Sequence, residues 1–143
     1  MKRYDDWPKR LDTFFRQRMN QPFEWGAQDC GLFAADAILE MTGEDLAAGL
    51  RGRYSTAQEA IDLIAAETAG GGLAELAEML TERAGLVKVS VLAARRGDLI
   101  LLDMDGKPAL GILSLDGIHA TMPGEHGLLN VYPVSETTAA WRV

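Results

Sequence analysis

A single cysteine, Cys30, and two histidines, His119 and His126, are the residues of this sequence best suited to covalent chemistry. Cys30 follows Trp25-Gly26 and Asp29 and stands where an apolar helical pattern begins. Backbone N–H groups at a helix start lower a thiol pKa, and the thiolate is the nucleophilic form. A loop that delivers a cysteine to the first turn of a helix is therefore a workable layout for a nucleophile. The same position suits an inert cysteine, which packs as a small hydrophobe. A nucleophile also needs a base and a group that orients the base. Both histidines fall in the second half of the chain, so a Cys–His pair is permitted without being dictated. His126, inside Pro123-Gly124-Glu125-His126-Gly127, reads as a solvated turn residue. Asp29 reads as an N-cap that accepts a backbone N–H, or as a residue that orients another loop.

The elements that must position these groups follow from periodicity. Trp7, Leu11, Phe14 and Phe15 form one apolar stripe, with Pro8 suited to the first turn and Asn20 and Pro22 ending the helix. Residues 22–29 read as a loop, with Gly26 free to take a positive φ. Cys30 to Thr42 carries Phe33, Ala34, Ala37, Ile38 and Met41 on a helical face, and Gly43 is a natural stop. Small residues there let other elements approach closely. Thr56 and Glu59 have capping-box spacing ahead of a helix from about Ala57 to Glu67. The Gly70–Gly72 run then breaks the chain before a helix from about Leu73 to Ala84.

Beyond Gly85 the pattern becomes short apolar or β-branched segments: Leu86–Val91, Asp98–Met104, Ala109–Leu115, Gly117–Thr121, Leu128–Tyr132 and Ala140–Val143. Asp105-Gly106, Asp116-Gly117 and Pro123-Gly124 read as turns between them. Helices first and antiparallel strands second predict an α+β domain with segregated layers. At 143 residues the chain has the size of one domain, so residues 1–143 are read as a single unit.

Composition narrows the function classes. A net charge of -7 argues against a general nucleic-acid or anionic-membrane binder. One cysteine excludes an intrachain disulfide and a cysteine-based metal cluster, and no metal or cofactor is expected. No apolar run approaches the roughly 18 residues of a membrane span. MKRYDDWPKR has no apolar h-region, so no signal peptide is expected.

Several blocks together carry a resemblance. WGAQDCGLFAADAI resembles the nucleophile motif of NlpC/P60 cysteine peptidases, RRGDLILLD their G-D-L strand, and ALGILSLDGIHA their following hairpin. A closer match is to small phage tail-module proteins with an NlpC/P60-like fold. It rests on Phe23-Glu24-Trp25-Gly26, Asp29-Cys30, Arg51-Gly52-Arg53-Tyr54, Gly97-Asp98, Ala109-Leu110-Gly111-Ile112, Glu125-His126-Gly127-Leu128 and Ala140-Trp141-Arg142-Val143. The resemblance implies a papain-like α+β fold, with Cys30 opening the central helix beside an antiparallel sheet. It implies that Cys30 is the nucleophile position and His119, in Ile118-His119-Ala120, the orienting position.

The base position of that pattern is occupied by Ala109, and a methyl group takes no proton. General acid–base help is worth roughly 100- to 10,000-fold, so its loss points away from hydrolysis. The expectation is a phage tail-tip or baseplate component that uses an inactive domain as a binding module. Such a protein is made in the host cytoplasm, resides in the virion tail and partners other tail proteins. The alternative is a cysteine amidase or endopeptidase acting on peptidoglycan peptides. Trp25, Asp29, Arg51, Arg53 and Tyr54 are the candidate binding residues. Arg and Tyr are enriched at interface hot spots, although Arg51–Tyr54 also reads as a solvated turn and Trp25 as packing over the helix start.

Overall fold

The computed structural model describes residues 1–133 and 137–143. Among them are four α-helices, α1 (Trp7–Arg18), α2 (Cys30–Thr42), α3 (Ala57–Glu67) and α4 (Leu73–Arg83). Six strands follow: β1 (Val87–Val89), β2 (Leu99–Met104), β3 (Lys107–Leu113), β4 (Ala120–Gly124), β5 (Gly127–Val131) and β6 (Thr137–Arg142). They form one antiparallel sheet in the order β1-β6-β2-β3-β4-β5. The chain is therefore α+β, with helices and strands segregated along the sequence as expected.

α2 is the central helix. Asp29 caps it through Oδ1, which accepts the Leu32 N–H at 2.8 Å. Gly43 stops it at φ +81, its N–H donating to the Leu39 carbonyl at 2.8 Å. The positive φ favours glycine there, and the Tyr4 hydroxyl packs where a side chain would stand. Phe33, Ala34, Ala37, Ile38 and Met41 join Leu11 and Phe14 of α1 in the main core. The sheet supplies Leu99, Leu101, Leu110, Ile112, Ala139 and Trp141 to the same core. The alternate residues Ile100, Leu102, Ala109, Leu113 and Ala140 form a second cluster on the opposite face, the period of two that a pleated strand imposes.

Asp98 ties the ends of the chain to this sheet. It is fully buried, and its Oδ1 accepts from Arg3 Nη2 (2.9 Å) and the Val143 N–H (3.2 Å). Oδ2 accepts from Arg142 Nε (2.9 Å) and the Arg95 N–H (2.8 Å). The Gly97-Asp98 pair, which reads from sequence only as a strand start, is thus a buried electrostatic hub.

Two local expectations shift. The turn expected at Pro123-Gly124 lies instead at Glu125-His126, closed by the Gly124↔Gly127 pair. Proline is tolerated at the end of β4 because the β3–β4 ladder pairs only Ile112↔Thr121 and Leu113↔Ala120, leaving no β3 partner to want its missing N–H. The strand expected at Gly117–Thr121 accordingly begins at Ala120, after a turn that holds Asp116 and Gly117. The Asp105-Gly106 hairpin falls where expected, with both residues at positive φ and the Gly106 N–H donating to Asp103 Oδ1 at 2.7 Å.

Candidate functional site

Cys30 is the first residue of α2, at a three-way junction of loop, helix and sheet. Asp29 builds the junction. Beyond capping α2, its Oδ2 accepts the Gly26 N–H at 2.9 Å and the Tyr54 hydroxyl at 2.5 Å. One buried carboxylate therefore fixes the loop before the helix, the helix start and the segment after α2. Gly26, at φ +79, lies so near the Tyr54 carbonyl that a Cβ would approach it to 2.3 Å. Both readings of Asp29, as cap and as loop orienter, are realised at once. Trp25 is exposed and meets Phe23 edge-on, with ring centroids 4.8 Å apart.

The thiol of Cys30 sits against both sheet clusters, including the one that holds Ala109. Burial pushes it up to about 11. The Leu110 amide pulls it down, the neighbouring Asp29 carboxylate pushes it up, and the amides of Gly31 and Cys30 itself pull it down again. The helix start acts in the direction expected from sequence, but removal from water is the larger effect. The thiol is thereby biased toward its neutral form at pH 7. Among the described residues no hydrogen bond joins the thiol to an imidazole or a carboxylate.

The histidines lie elsewhere. His119 Nδ1 pairs with Asp116 Oδ2 at 2.5 Å, and its ring packs on Tyr132 with centroids 4.4 Å apart. Against the raising effect of partial burial, the His119 contacts hold the Asp116 carboxyl below the usual range. The Ser114 N–H donates to the His119 carbonyl at 2.7 Å, which sets His119 across from Ser114. Leu110, beside the thiol, is four residues before Ser114, which directly follows β3, roughly 13 Å at the rise of a β-strand. His126 is solvated, and its Nε2 lies 3.9 Å from the neighbouring Glu125 carboxylate. Ala109, the position that the resemblance assigns to a base, is buried and apolar.

Arg51, Arg53 and Tyr54 turn inward as well as outward. Arg51 bridges Asp45 (2.7 Å) and Asp36 (2.7 Å), which together hold its guanidinium above the usual range, the Asp45 bonds contributing most. Asp36 also takes Arg18 at 3.0 Å. Arg53 reaches Glu67 (3.0 Å) and the Gly49 carbonyl (2.8 Å). Tyr54 is kept neutral by its burial and by Asp29.

A large cavity of about 660 Å³ opens beside Cys30, between α2, residues 46–54, α3, α4 and the start of β3. The sequence does not announce it. Its only trace there is an excess of alanine on α2, α3 and α4, which places backbones near one another without filling the space. Among the described residues no group of three or more His, Cys, Asp or Glu is placed to hold a metal ion. No helix among them is long and apolar enough to cross a membrane.

The fold and this junction define an α+β domain built around one partly exposed thiol at a helix start. The family described as "Domain of unknown function (DUF6950)" matches residues 2–143, and the chain belongs to it. Among curated proteins nothing matches.

Proposed function

We infer that this protein is a binding module in which Cys30 is catalytically idle. The observation that carries the reading is the setting of the thiol: it packs against apolar residues that include Ala109, and among the described residues no hydrogen bond joins it to an imidazole. Acyl transfer to a thiol needs a thiolate and then a proton donor for the leaving amine. This junction supplies neither. Asp29, the nearest carboxylate in sequence, already accepts three hydrogen bonds that hold the loop and Tyr54 in place.

The order of the sequence blocks, together with a helix that starts at a cysteine and packs on an antiparallel sheet, supports a papain-like fold of the NlpC/P60 type. On that footing the module is a component of a phage tail tip or baseplate, made in the host cytoplasm and carried in the virion. Its partners are then other tail proteins. The acidic balance of the chain fits partners other than nucleic acid.

The test compares the unmodified chain, Cys30→Ala and Ala109→His on purified peptidoglycan. The expected result is no released peptide from the first two. Fragments from the unmodified chain that disappear with Cys30→Ala would overturn the reading and make the protein a cysteine amidase or endopeptidase. Activity gained by Ala109→His would show that the site geometry is intact and that only the base is missing.

A further inference from the structure

The cavity beside Cys30 is a feature that neither the fold nor the thiol accounts for. At about 660 Å³ it falls within the roughly 300–1,000 Å³ of sites that take small molecules. It has walls on several sides. α2 contributes Leu32 and Ala35, the segment after α2 contributes Leu50, and α3 and α4 contribute Ile64 and Leu76. The aliphatic lining is interrupted by few ionisable groups. Asp29 is buried and fully used by three donors, while Cys30 and Tyr54 are held neutral. Lys107, exposed at the β3 end, is the one cation on the lining, and among the described residues no ion pair engages it.

A long apolar wall with a single unengaged cation at its edge has a natural complement, an aliphatic chain that ends in one negative charge. We propose that this cavity binds a single-chain aliphatic carboxylate, with the chain against α2, α3 and α4 and the carboxylate at Lys107. The chain supplies the affinity, because each methylene removed from water gains about 0.8 kcal/mol, or about fourfold in Kd. The head group orients it, because an exposed ion pair is worth only about two- to fivefold. This site does not depend on whether Cys30 is catalytically idle.

The test is titration calorimetry of the intact chain with octanoate, dodecanoate and dodecanol below their micellar concentrations. Dodecanoate should bind, and octanoate should bind at least tenfold more weakly. Lys107→Ala should weaken dodecanoate two- to fivefold and leave dodecanol unchanged. Ala57→Trp and Ile61→Glu, both at exposed positions on the lining, should abolish binding while circular dichroism shows a folded chain. Bound dodecanoate should also slow alkylation of Cys30, which lines the same space. Absence of dodecanoate binding to the folded chain would overturn the proposal. So would binding that ignores chain length, or that survives both lining substitutions. Equal loss of dodecanol and dodecanoate with Lys107→Ala would overturn the assignment of the head group.

Discussion

On the sheet side of α2, Phe33, Ile38 and Met41 meet Leu99, Ile112 and Trp141, each buried to within a few per cent. On its other side lie α3 and α4, and of the eleven residues of α3 only Ala60 is buried. One flank is a continuous cluster of buried side chains, as close packing of protein interiors requires. The other encloses a cavity. The same helix thus serves as the centre of a core and as the wall of a site, and Cys30, at its first turn, belongs to both. The contrast places the main core in the α1–α2–sheet half, to which α4 adds Ala77, and leaves α3 with the fewest buried residues of the four helices.

The largest effect that sharpens this contrast belongs to Asp98. Its four donors join the N-terminal Arg3, the Arg95 turn and the C-terminal Arg142 and Val143 to β2. Asp98→Ala strands two guanidinium groups and should cost about 3–5 kcal/mol in urea unfolding, the cost of breaking a buried ion pair. A loss below about 1 kcal/mol would show that water replaces the carboxylate and that the sheet half is less tightly closed than its burial suggests.

The next effect is carried by Cys30 and has a defined sign. Its folded pKa, about 11, lies above that of a thiol in an unfolded chain, about 8.5. Its contribution to stability is therefore complete below pH 8.5 and is lost as pH rises through about 11. The loss is roughly 3 kcal/mol at 1.36 kcal/mol per unit. Tyr54, also raised, acts in the same direction at higher pH. Urea unfolding at pH 7 and pH 10.5 should show a decline for the unmodified chain that is much smaller for Cys30→Ala. Equal declines in the two would mean that the thiol is in contact with water and ionises as an ordinary cysteine.

Helix ends and tight turns were the more legible in sequence, on both flanks of α2. Asp29 and Gly43 bound α2 because capping is local chemistry, and Asp105-Gly106 marks its hairpin because I′-type turns demand positive φ. Pro123-Gly124 misleads because a proline inside a strand is acceptable only when the neighbouring strand has moved away, which is a tertiary fact. Asp98 as a hub is equally hidden, since three of its four donors lie 95 positions before and 44 and 45 positions after it. The candidate site was legible only as a list of residues. Cys30 stands where the pattern puts it, but the sign of its pKa shift depends on how much water surrounds it, and no local motif encodes that. The ladder that sets His119 opposite Ser114, and the empty space beside α3, are likewise products of packing.

The smallest predicted effect probes the loose flank itself. Ile61 is 58% exposed on α3, at the rim of the cavity. Truncation there removes little buried surface, and alanine is the better helix former, so the two terms oppose each other. Ile61→Ala should change stability by no more than about 0.5 kcal/mol. Hydrogen exchange should also separate the flanks. Amides of α3 should exchange through local opening, well before those of α2, whose protection should approach the free energy of global unfolding. Dodecanoate should narrow this gap, because a ligand that bridges α2 and α3 must be released before α3 can open. If α3 and α2 exchange together without ligand, the two flanks form one cooperative unit. The cavity would then be a rigid part of the core, and the division of labour on the two sides of α2 would fail.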